Sequence, residues 1–104
     1  MEKTDILRKP LTAAQRARLR SLAAARQAII QIGKDGVGAN TVATLDAALE
    51  SRELVKVTVL KTCPTDVRET AEALAAATSS EVVTTIGRKA VFYRESAENK
   101  QIEL

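Results

Sequence analysis

Two glycines three residues apart, with a lysine and an aspartate between them, close a short apolar run at Gln31-Ile32-Gly33-Lys34-Asp35-Gly36. Such a loop can hold an oxyanion. Glycine at each end allows positive φ and close backbone approach, while Lys34 sets a positive charge between them. Helical spacing begins from about Gly38 or Asn40, so the loop should feed a helix N-terminus whose free N–H groups and dipole favour phosphate. Taken alone, Gly-x-x-Gly usually marks an ordinary turn. It is also no nucleotide P-loop: Gly-x-x-x-x-Gly-Lys-Ser/Thr is absent, and Lys34 is followed by Asp35.

Little other chemistry is on offer. There is no histidine and one cysteine, Cys63, and the carboxylates fall mainly on the outer sides of expected helices. General acid–base and nucleophilic catalysis need positioned groups that this pattern does not supply, so no enzyme, cofactor, metal site or small-molecule substrate is expected. Cys63 precedes a helix start, where a thiolate would be stabilised, but beside Pro64 it reads as a small packing residue. A lone cysteine excludes a disulfide within the monomer and fits a reducing compartment.

Charge narrows the ligand. The net charge is +3, yet residues 1–38 hold eight Lys and Arg against three Asp and Glu, and residues 39–104 hold eight against ten. The basic surface is thus concentrated on and around the loop, which suits a polyanion. The aromatics Phe92 and Tyr93 are adjacent and so point to opposite faces of a strand, and at most one could stack a base. Recognition of RNA would therefore rest on backbone phosphates and shape rather than on an aromatic platform. With no apolar leader and no apolar stretch of ~18 residues, a soluble, cytoplasmic protein with no membrane partner is expected, with a monomer as the prior.

The elements that must position these residues follow in order. Residues 1–10 read as a flexible basic arm, 11–95 as one domain and 96–104 as a loose polar tail. Thr12-Ala13-Ala14-Gln15 is a capping box that opens a first helix, with Leu11, Leu19, Leu22 and Ala23 facing inward and Arg16 and Arg20 on the opposite side. Ala28–Ile32 reads as a strand delivering the loop. A second helix carries Val42, Leu45 and Leu49. Val55, Val57 and Val59 alternate with Lys56 and Thr58 in a second strand, giving a βαβ unit with parallel strands. A third helix opens near Pro64, capped by Thr65 or Asp66, and its acidic outer side should face away from RNA. Glu81–Ile86 and Ala90–Arg94 form a hairpin around the basic tip Gly87-Arg88-Lys89. The fold class is α/β (α+β), a single layer of helices on a four-stranded mixed sheet in the order α-β-α-β-α-β-β.

In this order the chain resembles the YhbY family, the CRM (chloroplast RNA splicing and ribosome maturation) domain. The resemblance is carried by Leu11-Thr12, Ile32-Gly33-Lys34-Asp35-Gly36, Ala48-Leu49-Glu50, Glu53-Leu54-Val55-Lys56-Val57, Ile86-Gly87 and Tyr93-Arg94. It implies a fold like the C-terminal domain of translation initiation factor three, and association with precursors of the large ribosomal subunit. It maps the family's loop onto Gly33, Lys34, Asp35 and Gly36, and its basic helix onto Arg16 and Arg20. Gly38 stands where members commonly have a polar cap, so the entry to the second helix is expected to be looser. The expected function is RNA binding, with ribosomal RNA in that precursor as the expected partner, through Gly33, Lys34, Asp35, Gly36, Arg16, Arg20, Lys56, Arg88 and Lys89. The rival reading is a non-catalytic adaptor whose acidic third helix or tail docks a ribosomal protein.

Overall fold

The computed structural model describes residues 10–104; the expected arm lies outside them apart from Pro10. Among the described residues three helices, α1 (Ala13–Ala24), α2 (Ala39–Arg52) and α3 (Val67–Thr78), alternate with strands β1 (Ile30–Ile32) and β2 (Leu54–Val59) and precede the hairpin β3 (Glu81–Ile86) and β4 (Lys89–Tyr93). The sheet order is β1-β2-β4-β3. β1 and β2 are parallel, with Ile30 opposite Val57, while β4 pairs antiparallel with both β2 and β3.

Local chemistry accounts for the helix starts. The Thr12 hydroxyl accepts the Gln15 N–H at 3.1 Å and the Gln15 side chain accepts the Thr12 N–H at 3.0 Å, so the expected capping box is present. Asp66 caps α3 by accepting the Glu69 N–H at 2.8 Å. At α2 the glycine cap has a substitute: the Thr41 hydroxyl accepts the Gly38 N–H at 2.8 Å and donates to the Gly38 carbonyl at 2.9 Å. The entry to α2 is therefore held, contrary to the looseness expected from Gly38.

The element order and mixed sheet are those expected, but the helices do not form a single layer. Alternation along β2 and β4 builds two cores. On one face Val55, Val57, Ala90 and Phe92 meet Leu45 and Leu49 of α2 and Ala71 and Leu74 of α3. On the other, Leu54, Val91 and Tyr93 meet Leu19 and Ala23 of α1, with Val83 of β3. The reason is legible in β2, where Leu54 is as buried as Val55. A strand with apolar residues at successive positions needs cover on both sides. Each fully buried Leu, Val or Phe contributes about 1.5–3 kcal/mol.

The tail is docked, which corrects the expectation of a loose segment. Ile102 is buried in the α1-side core. Glu53, at the end of α2, is fully buried and adopts φ 66°. Its carboxylate accepts the N–H groups of Ser96, Gln101 and Ile102, each at 2.7 Å. Burial alone would raise its pKa, but these three N–H groups, helped by Lys100, hold it below the usual glutamate value. Glu50 is lowered too, chiefly by the Ser96 hydroxyl at 2.7 Å. Beside Glu53, the Tyr93 hydroxyl is pushed up to about 12, first by burial and then by that negative charge.

Candidate functional site

The Gly33–Gly36 segment is a β-turn, closed by the Gly36 N–H donating to the Gly33 carbonyl at 2.9 Å. Its two central residues, Lys34 and Asp35, are exposed. The two glycines are not equivalent. Gly36 has φ +63°, and a Cβ there would lie 3.3 Å from Cγ of Pro64, whereas Gly33 lacks positive φ and its Cβ would make ordinary contacts of 3.6 Å with Leu60 and Thr62. Left-handed backbone is therefore required at one end of the turn only.

Because β1 and β2 are parallel, their C-terminal ends emerge side by side. The Leu60 N–H donates to the Ile32 carbonyl at 2.8 Å, and a second β-turn follows, closed by the Cys63 N–H on the Leu60 carbonyl at 3.0 Å. That turn presents Lys61, also exposed, next to the Gly33–Gly36 turn. Antiparallel pairing brings the hairpin to the same end of the sheet: Lys89 is opposite Thr58, and the Val59 N–H donates to the Arg88 carbonyl at 2.7 Å. Three connections thus collect Lys34, Lys61, Arg88 and Lys89 at one end of the molecule, with Asp35 among them. Lys61 was missed in the sequence reading; the signal was its place just past the end of β2, which in a parallel pair must lie beside the loop after β1.

Other expected contacts lie elsewhere. The Arg16 guanidinium donates to the carbonyls of Val82 at 2.6 Å and Val83 at 3.0 Å, at the register shift where β3 bulges. This is the far end of β3 from the hairpin tip, so Arg16 is not brought to the turn. Arg20, one helical turn further along α1, is exposed. Lys56 donates to the Arg26 carbonyl at 2.8 Å and so fastens the α1–β1 connection to β2. Phe92 is fully buried and Tyr93 nearly so, on opposite faces, so neither offers a ring for base stacking.

Cys63 is partly buried near Thr65 and Thr70, with Sγ 3.7 and 3.6 Å from their hydroxyls. Burial raises its pKa, but bonds from the Thr65 N–H and the two hydroxyls outweigh it and leave the thiol below its ordinary value. Its packing against the α2–α3 core agrees with a structural role. Among the described residues no group of three or more Cys, Asp or Glu is arranged to hold a metal ion, and no helix is long and apolar enough to cross a membrane.

Comparison with known proteins agrees with this architecture. A relative from Bacillus subtilis (strain 168), named probable RNA-binding protein YqeI, is 49% identical over 94 residues, covering 90% of this chain and 98% of its own. The solution structure of SAV1595 from Staphylococcus aureus, a protein proposed to bind RNA, superposes with a TM-score of 0.77 at 50% identity, over 91% of this chain and 99% of that one. The sequence pattern of the CRS1/YhbY (CRM) domain matches residues 11–94, and the chain belongs to that family.

Proposed function

We propose that the protein binds RNA through its phosphates, with the Gly33–Gly36 turn as the grip and no catalytic step. The observation that carries this reading is the convergence of Lys34, Lys61, Arg88 and Lys89 from three connections at one end of the sheet. Cations held on short turns meet a phosphate chain without long ordering steps, and phosphate contacts carry register and affinity rather than base information. The names of the two relatives support RNA as the polyanion. The ligand is ribosomal RNA in a large-subunit precursor, which the protein steadies by binding energy alone, acting as a monomer in the cytoplasm.

A salt titration of RNA binding, read with Lys34→Ala, tests the grip. Affinity should fall by about 0.7–0.9 log units per log of salt for each phosphate neutralised. Lys34→Ala should weaken binding across unrelated sequences and leave thermal stability unchanged. A flat salt profile would instead favour the protein-docking adaptor. Gradient fractionation at low salt tests the assignment to assembly: the protein should concentrate on one immature large-subunit particle, and a uniform spread over mature subunits would overturn it.

A further inference from the structure

At the opposite end of β1 and β2 lies an open cleft of about 470 Å³. Arg26, Arg52 and Lys56 bring three cations to it, Gln27 and Gln101 bring two amides, and Ile29 brings an apolar side chain that is 47% exposed. No carboxylate is among its lining residues within the described part of the chain. The nearest in sequence, Glu53, is buried and turned to the three tail N–H groups.

The cations are fixed without being used up. Arg26 donates one nitrogen to the Leu54 carbonyl at 2.8 Å, and Lys56 gives one N–H to the Arg26 carbonyl, which leaves most of their donors open. The Arg52 side chain makes no hydrogen bond or ion pair among the described residues and is exposed in the last turn of α2. A cleft with a cationic rim, neutral amides and one exposed aliphatic wall matches a nucleotide: phosphate on the cations, base against Ile29, base edge within reach of the amides.

We propose that this cleft is a second RNA site, seating one unpaired nucleotide of the strand whose phosphates are gripped at the Gly33–Gly36 turn. The proposal rests on the RNA-binding reading above. Ile29 and Gly33 flank β1, and at a rise of about 3.3 Å per residue they lie about 13 Å apart. One single strand running along the short β1 edge spans that distance.

Binding of a fluorescein-labelled, single-stranded RNA of mixed sequence and about twelve residues, followed by anisotropy over a range of salt, tests this with the full chain. Arg52→Gln should weaken binding about tenfold, the size of one charged hydrogen bond, and lower the salt slope by about 0.7. Arg68→Gln, the same charge change on the exposed side of α3, should do neither. Equal losses in the two variants would reduce the cleft to a diffuse field and overturn the site. An unchanged Arg52→Gln beside a weakened Lys34→Ala would also overturn it, while leaving the turn as the RNA grip. Absence of RNA binding by the unmodified protein would remove both. Adenosine 5′-monophosphate is the control for a free nucleotide: binding it as tightly as the oligonucleotide, with loss in Arg52→Gln only, would assign the cleft to free nucleotides and overturn the RNA site.

Discussion

Glu53→Gln tests how the domain closes on itself. In the native structure Oε1 accepts the Gln101 and Ile102 N–H groups and Oε2 accepts that of Ser96. Glutamine can keep the first pair as neutral bonds. Its NH2, however, would face the Ser96 N–H, donor against donor, and Ser96 is buried. An unsatisfied buried N–H costs about 1–3 kcal/mol, and exchanging two charged bonds for neutral ones costs about 1 kcal/mol each. The glutamine escapes part of the carboxylate's burial penalty, so the net loss should be about 2–3 kcal/mol, or a fall in Tm of about 10–20 °C. Urea unfolding gives the first number, and hydrogen exchange at the 101 and 102 amides shows whether the tail is the part released. The pH profile is an independent check. Glu50 and Glu53 have lowered pKa values in the fold, so their contribution is complete above the ordinary glutamate value of about 4.3 and is lost as pH falls through the folded values. Glu53→Gln should flatten that acid limb. A change under about 0.5 kcal/mol, with residues 101 and 102 still protected, would refute the anchoring role.

Gly36→Ala should cost about 1 kcal/mol, because φ is +63° and the new Cβ meets Pro64 at 3.3 Å; Gly33→Ala should be tolerated better, and thermal unfolding compares them. Gly38→Ser should stabilise by about 0.5 kcal/mol, since the site is extended, has open space around it and lacks a side-chain cap; a loss of stability in urea would contradict the role given to that position. Arg94→Met should cost about 1–2 kcal/mol by removing its bonds to the Thr78 carbonyl at 2.8 Å and the Asp46 carboxylate at 2.6 Å. The Asp46 share should fade in high salt and the Thr78 share should remain.

Pattern-bearing elements were legible in the chain. Val55, Val57 and Val59 announce a strand, Thr12 with Gln15 a helix start, and Gly87 the hairpin turn, because each signal is local. The second layer was harder to see. It depends on Leu54 and Tyr93 facing α1, whereas the Val55, Val57 and Val59 alternation marks only the other face. The docking of the tail left no local signal, because its polar residues act through backbone N–H groups whose partner Glu53 lies more than 40 positions away. At the candidate site, Lys34, Arg88 and Lys89 could be placed from turn signals. Arg16 and Lys56 looked like free cations because nothing local shows that a side chain will end on a distant carbonyl.

The bond from Arg16 bears on self-association. β1 and β3 are the outer strands of the sheet, and β1 has only three residues, a poor template for another chain. β3 is twice as long. An outer strand of that length invites a strand from a neighbouring molecule unless something interrupts it. Here the bulge breaks the spacing, and the Arg16 guanidinium occupies the Val82 and Val83 carbonyls. Those carbonyls already have a donor, so an arginine that resembles a ligand contact in the sequence makes this edge a poorer template for a neighbouring strand.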